Sequence, residues 1–354
     1  MQAWRVHARG EPPEVFRLEA ASEPTAEALA RLCVDLAGLR PLQGEMDRPV
    51  ADWVILAVRA AALGLPDVTM ARGSYPVPIT RPYTAGLEAC GVVEEASPSM
   101  QAWLGRRVVA FTPQPFGALA PRAVGIKSAL FPVPEGMGDV AAAAFLLASH
   151  TAWHGLRRRG GLQAGETALI LGAAGGLGSA AIQIAKASGA RVIAVAGGAE
   201  RAAFRTELGA DVAIDHLAGD FVAAVLDATG WQPLDLIFDP VQGEAGERAR
   251  PLLRPEGRHV LCGHAGGLRP IDPSSFYMQN YTLVGATMGA YPPPQGEQIE
   301  ADAHAGLLAL LAEGSFRPVV GRQVPFAEAA EALAELAARR TVGRIVVRVA
   351  PSDG

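Results

Sequence analysis

Hydrophobic positions along the chain change their spacing at Asp139, and the two parts predict different structure. Before that residue, short apolar runs such as Trp53–Val58 and Arg107–Phe111 are bounded by Gly, Pro or polar residues, as is typical of β strands. An exception is Thr25–Leu39, where apolar residues recur at helical spacing behind a threonine suited to cap a helix. We therefore predict a mostly β region with a helical insertion around residues 25–50.

From Asp139 onward, helix and strand patterns alternate, beginning with one long alanine-rich helix, Asp139–Arg157. Buried strands are predicted at Thr167–Leu171, Arg191–Val195, Val212–Ile214, Leu234–Phe238, His259–Leu261 and Tyr281–Gly285. Helices are predicted between them at Leu177–Ser188, Arg201–Leu208, Phe221–Ala228 and Glu244–Leu253. Buried parallel strands joined by helices form a doubly wound α/β sheet. Two more helices and a strand, Arg344–Val349, close the chain.

Composition narrows the class of protein without naming an activity. A length of 354 residues favours about two domains, and a hydrophobic fraction of 50% with 19% charged residues is typical of a globular protein. The net charge of −5 and the lack of a long basic run argue against nucleic acid as a partner. The cysteines Cys33, Cys90 and Cys262 are far apart, which argues against a disulfide framework and a cysteine-rich zinc lobe.

Targeting signals are not evident in the sequence. The first residues lack the apolar core of a signal peptide, and no uncharged apolar run reaches the roughly 20 residues of a membrane span. We therefore expect a cytoplasmic protein with no membrane partner.

A glycine-rich turn, Gly172–Gly178, stands between a predicted strand and a predicted helix, with Ala173 at the first glycine position of the dinucleotide fingerprint. Small residues let the backbone approach a pyrophosphate, and the N–H groups at the start of the helix stabilise its charge. A purely structural turn is the alternative. The context on both sides favours dinucleotide binding, with these contact residues: Ala174, Gly175, Gly176, Leu177 and Gly178.

The next strand indicates which dinucleotide binds. NAD-binding units place a carboxylate at its end, whereas this strand runs into Gly197-Gly198. Arg201 and Arg205 follow at helical spacing, where they could neutralise a 2′-phosphate, although Glu200 lies beside them. We predict NADPH as the cofactor, with two solvated arginines as the alternative interpretation.

Ordered motifs along nearly the whole chain resemble the medium-chain dehydrogenase/reductase superfamily, in its zinc-free quinone oxidoreductase and enoyl reductase branch. They include Ala85–Val93, Ser149–Trp153, Ile237–Val241 and Arg339–Arg344. The resemblance implies a GroES-like, mostly β catalytic domain built from residues 1–135 and 290–354. It also implies a Rossmann doubly wound domain at residues 136–289, a cleft where cofactor and substrate meet, and a homodimer.

The resemblance also implies further cofactor contacts. Thr151 stands where relatives approach the cofactor. His216 replaces a tyrosine that in some relatives lines the adenosine phosphate site, with a surface histidine as the equal alternative. Arg339 and Arg344 belong to a tail motif that can reach the cofactor. Cys262 and Gly263 end a strand at the sheet edge where ligands bind in such folds.

The departures from the family bear on mechanism. Zinc members carry a cysteine within the segment matching Leu63–Asp67 and a histidine where Leu87 precedes Glu88, so no metal site is predicted. His150 and His154 have metal-binding spacing but no evident third ligand, and helix packing or a contact near the cleft is the favoured interpretation.

The catalytic residues stay unknown at this point. Many zinc-free relatives carry an Asn at the position of Gly64 and some a Tyr at that of Thr69, so no proton donor is assigned. We expect hydride transfer to a small-molecule acceptor, a quinone or an α,β-unsaturated carbonyl compound. An enoyl-thioester reductase is the alternative, and an NADPH-binding sensor or structural protein is the alternative outside the enzymes.

Overall fold

A computed structural model of the chain describes residues 1–30, 52–77, 79–198 and 200–349. In these ranges the strands β1 to β16 are, in chain order, Gln2–Val6, Phe16–Ala20, Trp53–Leu63, Tyr83–Thr84, Glu88–Ala96, Arg107–Phe111, Arg122–Ile126, Leu130–Pro132, Thr167–Leu171, Arg191–Ala196, Val212–Asp215, Leu234–Asp239, Leu253–Leu261, Thr282–Gly285, Val320–Pro325 and Arg344–Arg348. The helices α1 to α12 are Pro12–Val15, Ala26–Ala30, Leu65–Arg72, Asp139–Ala143, Leu146–Trp153, Gly176–Ala187, Glu200–Glu207, Phe221–Thr229, Gly243–Ala249, Ser274–Tyr277, Gln295–Ala312 and Ala329–Ala337.

The chain folds into two units, each made from more than one chain segment. The first unit comprises Met1–Leu147, Gly289–Ala301 and Val320–Gly354, and the second comprises Ala148–Met288 and Asp302–Val319. Residues 136–147 thus lie with the first unit and residues 302–319 with the second, whereas the sequence prediction placed the boundaries at residues 135 and 290.

A six-stranded parallel sheet in the order β11-β10-β9-β12-β13-β14 organises the second unit. Counted from β9, this is the order 3-2-1-4-5-6 of the doubly wound dinucleotide-binding fold. The central strands are buried on both faces, as the apolar run Leu169–Leu171 of β9 illustrates. The predicted doubly wound fold is confirmed, and its switch point lies between β9 and β12.

The first unit is mostly β, as predicted. A seven-stranded sheet has the order β15-β16-β3-β5-β6-β8, and its seventh strand, β7, also pairs with β3. A three-stranded sheet has the order β2-β1-β4. The long strand β3 is almost entirely buried, and its Leu56 and Val58 pack with β5 residues such as Val93 in the main apolar core. The last strand of the chain, β16, pairs antiparallel with β3, so the C-terminal segment completes this sheet.

The prediction of one long helix over Asp139–Arg157 is wrong. Helix α4 ends at Ala143, and α5 starts anew at Leu146. The Glu88 carboxylate, projecting from β5, accepts hydrogen bonds from the N–H groups of Leu146 (2.7 Å) and Leu147 (3.0 Å), so it caps a new helix start. A π-helical turn, His154–Arg159, then follows α5. The alanine-rich sequence could not predict this break, because the capping carboxylate belongs to a distant strand.

The helical insertion is described only at its beginning. Helix α2 covers Ala26–Ala30, and the Thr25 hydroxyl accepts a hydrogen bond from the Ala28 N–H (3.2 Å), as expected of a cap. Residues 31–51, which hold the rest of the predicted insertion, lie outside the described residues. None of the described helices combines the length and the apolar character needed to cross a membrane.

Candidate functional site

The turn between β9 and α6 has the geometry of an anion-binding loop. Gly172 adopts a positive φ of 61°, and the Ala173 N–H donates to the Val195 carbonyl on β10 (3.0 Å). A side chain on Gly178 would collide with the Gly172 carbonyl oxygen, so only glycine permits this close approach. Helix α6 follows Gly175 with no side-chain cap, which leaves the N–H groups of its first turn to a ligand or solvent. The contact residues predicted here lie together in this turn: Ala174, Gly175, Gly176, Leu177 and Gly178.

The carboxyl ends of β10 and β11 form a second cluster. A Cβ atom on Gly197 would lie 3.1 Å from the His216 Nε2, so the imidazole ring lies over this glycine. Asp215 accepts hydrogen bonds from the N–H groups of Leu217 (2.9 Å) and Gly198 (2.8 Å), and these bonds lower the pKa of its carboxyl. The predicted residues Gly197, Gly198 and His216 are therefore neighbours, and the nearby carboxylate is already engaged by the backbone.

Of the two predicted phosphate ligands on α7, Arg201 and Arg205, the structure describes only the side chain of Arg205. The Arg201 side chain lies outside the described part, so its role stays a prediction. Arg205 is fully buried, and its Nη2 donates to the Ile214 carbonyl on β11 (3.2 Å). This burial contradicts the prediction that Arg205 offers its guanidinium to a phosphate, because the helix turns it toward the sheet.

Cys262 and Gly263 lie where β13 ends, beside the end of β12. The Cys262 N–H donates to the Asp239 carbonyl (3.1 Å), and the Gln242 side-chain amide donates to the Gly263 carbonyl. Burial raises the pKa of the Cys262 thiol well above its ordinary value, so this cysteine is not an activated nucleophile. The N–H of Cys262 and the carbonyl of Gly263 are thus both engaged within the second unit, and the contact of these two residues with a cofactor stays a prediction.

Thr151 is partly exposed on α5, in the second unit, among buried histidines. The His150 Nε2 lies 3.2 Å from the His304 Nδ1 of α11, which supports the helix-packing interpretation of His150. Burial lowers the pKa of His304 to about 3 and that of His154 to about 4, so both rings are neutral at pH 7. Among the described residues, no group of three or more His, Cys, Asp or Glu side chains could hold a metal ion.

A buried charged cluster lies in the first unit, next to Leu87. Glu88 is fully buried, and while one carboxylate oxygen caps α5, the other accepts a hydrogen bond from the Arg344 Nη2 of β16. The predicted contact residue Arg344 is thus paired with a carboxylate of its own unit. Leu87 is itself 7% exposed and belongs to the apolar core.

Asp67 holds the neighbouring chain segments in place. It is 1% exposed, and its two oxygens accept hydrogen bonds from the N–H groups of Gly64 (2.9 Å) and Gly86 (3.1 Å). Burial raises the pKa of this carboxyl to about 6. The other predicted tail residue, Arg339, is exposed at the end of α12 with a φ of 58°.

The predicted contacts therefore fall into two groups. Those of the glycine turn, of the β10 and β13 ends and of α5 belong to the second unit, whereas Arg339 and Arg344 belong to the first. Sequence reasoning missed the capping role of Glu88 and the backbone bonds of Asp215. A signal was present for Glu88, since a lone carboxylate within an apolar strand must find partners when it is buried.

Two known families match the chain. The family described as "Alcohol dehydrogenase GroES-like domain" matches residues 50–140, and the one described as "Zinc-binding dehydrogenase" matches residues 176–304. The first match falls in the first unit and the second match mainly in the second unit.

Similar proteins include a quinone oxidoreductase of Pseudomonas aeruginosa, 32% identical over 292 residues that cover 82% of this chain and 89% of that protein. One component of the phenolphthiocerol/phthiocerol polyketide synthase of Mycobacterium tuberculosis is 34% identical over 247 residues, 68% of this chain, and the match spans only 11% of that much longer protein. Among solved structures, the quinone oxidoreductase of Thermus thermophilus, also solved in complex with NADPH, has a TM-score of 0.75 at 33% identity, covering 98% of this chain and 100% of that one.

Proposed function

The chain belongs to the medium-chain dehydrogenase/reductase superfamily, in its quinone oxidoreductase branch, and on this basis we propose that it reduces a quinone or an α,β-unsaturated carbonyl compound with NADPH, without zinc. It is an oxidoreductase of this superfamily. The observation that carries the proposal is that the first turn of α6 has no side-chain cap. Its Gly178 packs so closely on the Gly172 carbonyl that no other residue fits at this position.

A dinucleotide pyrophosphate fits the β9–α6 turn by its chemistry. The turn offers N–H donors and the positive end of a 12-residue helix, with no carboxylate capping it. A Cβ on Gly175 would meet only the Gly172 carbonyl oxygen, at 3.7 Å, so the backbone here is open to a ligand. Gly175, Gly176 and Leu177 would hold the pyrophosphate, and the bound cofactor would supply the hydride.

NADPH is favoured over NADH by the end of β10. This strand runs into Gly197-Gly198 with no carboxylate at its end to accept a bond from a ribose hydroxyl, and Asp215 is occupied by two backbone N–H groups. His216 and Arg201 are the residues that would contact a 2′-phosphate. The quinone oxidoreductase of Thermus thermophilus, solved with NADPH, supports the same choice.

The residues buried in the first unit support hydride transfer without zinc. Glu88 is committed to Arg344 and to two backbone N–H groups, and Leu87 has no donor atom. Activation of a carbonyl by a metal ion would need three or four N, O or S ligands. The protein would instead orient the acceptor and exclude water while hydride transfer takes place.

A quinone is the preferred acceptor because its reduced product is a fairly stable anion that needs little help from a protein acid. This suits a chain with Gly64 and Thr69 where relatives carry Asn and Tyr. The similarity to a segment of a polyketide synthase favours the second candidate, an enoyl-thioester reductase.

The decisive experiment measures NADPH oxidation with a naphthoquinone, a small enone and an enoyl thioester side by side, together with NADPH affinity by fluorescence. We expect the quinone to turn over fastest. Fastest turnover of the thioester would select the second candidate. Tight NADPH binding without oxidation by any acceptor would instead indicate a sensor or structural protein.

A homodimer and a cytoplasmic location complete the proposal. Strand β14 is one edge of the six-stranded sheet, and its Leu283 is 38% exposed. Tyr277 and Met278, which precede the strand in the chain, are 69% and 68% exposed. An open strand edge with apolar neighbours is suited to pair with a second copy. Sedimentation velocity would test this assembly.

A further inference from the structure

Two ionisable residues of the second unit are buried where β12 and β13 run side by side. Asp239 and His259 are both fully buried, and the His259 Nε2 lies 2.8 Å from the Asp239 Oδ2. The Arg250 Nε donates to the other ring nitrogen, Nδ1, at 3.5 Å. Since Nδ1 accepts, the proton resides on Nε2, and His259 donates to the carboxylate.

The second oxygen of Asp239 holds the turn that follows β12. Its Oδ1 accepts hydrogen bonds from the N–H groups of Val241 (2.8 Å) and Gln242 (2.6 Å). Gln242 has a φ of 55° and a ψ of −146°, a conformation that residues other than glycine rarely adopt. Such a strained turn persists only where its surroundings over-determine it, and the Asp239 carboxylate supplies that constraint.

This turn supports the glycine loop directly. A Cβ on Gly172 would lie 3.0 Å from a Val241 methyl group and 3.5 Å from the Pro240 ring, so these side chains pack against the first residue of the loop. The N–H groups of Ala265 and Gly266 donate to the carbonyls of Pro240 (3.1 Å) and Val241 (2.6 Å). The segments that follow β9, β12 and β13 therefore pack as one layer at the switch point of the sheet.

We propose that Asp239 and His259 are positioning residues for the dinucleotide site: the buried pair fixes the turn at residues 240–242, on which the phosphate loop rests. The inference rests on the proposed function for the identity of the ligand. Neither residue touches the cofactor in this assignment. A buried carboxylate is costly unless it is fully hydrogen-bonded, and here every bond of Asp239 leads to a residue that shapes the layer.

The test uses paired substitutions of His259. His259→Gln keeps an amide donor near the position of Nε2, whereas His259→Leu removes it; Asp239→Asn removes the charge. Amide hydrogen exchange over residues 172–178 is measured in the protein without ligand, and NADPH affinity is measured by fluorescence. We expect faster exchange and roughly tenfold weaker binding for His259→Leu and Asp239→Asn, the scale on which outer partners of a binding site act. His259→Gln should stay within about twofold of the unsubstituted protein on this scale.

Controls separate positioning from simple loss of stability. Leu307→Ala removes a fully buried side chain of α11 in the same unit, and Asp67→Asn alters a buried carboxylate of the other unit. Leu307→Ala should lower the melting temperature, and both variants should leave loop exchange and NADPH affinity unchanged. If His259→Leu does not fold, Gly246→Ala replaces it, because a methyl group there would collide with the Asp239 Oδ2.

Two results would overturn the inference. One is unchanged loop exchange and affinity in Asp239→Asn and His259→Leu (or Gly246→Ala); the other is an equal effect of Leu307→Ala. Failure of the proposed function is distinguishable, since a chain that does not bind NADPH can still gain or lose protection at residues 172–178.

Discussion

The two units use polar groups in opposite ways. In the second unit the candidate ligand groups are backbone N–H donors at the start of α6, and glycines keep them accessible. In the first unit the polar groups are carboxylates, Glu88 and Asp67, which are buried and already bonded to donors of the same unit. The contrast teaches that the start of α6 in the second unit is suited to receive an anion, whereas Glu88 and Asp67 stabilise the first unit itself, as the buried Asp239 does in the second.

The largest effect expected is that of Glu88→Ala. The substitution leaves Arg344, whose side chain is 11% exposed, without its carboxylate, and leaves two helix N–H groups without an acceptor. We expect the free energy of unfolding to fall by about 3–5 kcal/mol, as for other broken buried ion pairs. Urea denaturation measures it. Glu11→Ala breaks the exposed pair with Arg72 and should cost less than about 1 kcal/mol; similar losses would refute the contrast.

A substitution in the glycine turn should act on binding instead. Gly178→Ala places a methyl group against the Gly172 carbonyl and displaces the loop. We expect NADPH affinity to fall roughly 100-fold, the cost of an ångström-scale misplacement. The matched control is Gly219→Ala, where a Cβ meets no atom within 4 Å, and fluorescence titration compares the two. Equal affinities would mean that the turn does not hold the cofactor.

Acid should destabilise the second unit through its buried histidines. The folded state lowers the pKa of His304 from 6.5 to about 3, because the ring is buried beside His150. Below pH 6.5 the His304 ring therefore binds a proton in the unfolded chain but not in the folded chain, and the free energy of unfolding falls as the pH falls. Between pH 7 and pH 5 this loss is about 2 kcal/mol, and His304→Asn should lack it. Urea denaturation at both pH values measures the change. An equal loss of unfolding free energy in the unsubstituted protein and in His304→Asn would contradict the expectation.

The first unit should respond with the opposite sign. Burial raises the pKa of Asp67 from 3.8 to about 6, so the folded state favours the protonated carboxyl. The penalty for the buried charge is present above pH 6 and is relieved as the pH falls through that value, by about 1 kcal/mol at pH 5. Asp67→Asn should show no such gain in the same denaturation series. If Asp67→Asn gained as much unfolding free energy as the unsubstituted protein, a group other than Asp67 would be responsible for the gain.

The smallest effect concerns the choice between NADPH and NADH. Arg201→Ala should raise the KM for NADPH roughly fivefold relative to that for NADH, since a single charge pair in contact with water contributes about 1 kcal/mol. Arg205→Ala, which alters a buried guanidinium, should reduce stability without changing the ratio of the two constants. Steady-state kinetics with both cofactors decide, and an equal effect of Arg201→Ala on both would remove the preference.

What could be read from the sequence follows the same contrast. The glycine turn was predictable because its recognition depends on backbone conformation, and glycine positions within a few residues encode that conformation. The Glu88–Arg344 pair was not predictable, because the two residues are 256 positions apart and no local sequence pattern indicates their contact. Arg205 was misassigned for a related reason: helical spacing gives a direction around the helix but not which direction faces the sheet.

The arrangement of the first unit also bears on the order of folding. The sheet of the second unit is complete once β14 has been made, whereas β3 of the first unit receives its partner β16 only when nearly all of the described chain exists. β7 already pairs with Trp53–Ala57 of β3, so only the segment Ala60–Leu63 stays unpaired on that side until β16 has been made. The carboxylate of Glu88 likewise lacks Arg344 until that late strand is present. Pairing of such distant segments is slow, because closure of a long loop precedes any gain from contact. This unpaired apolar segment of β3 is accordingly a strand edge at which an incomplete chain can aggregate.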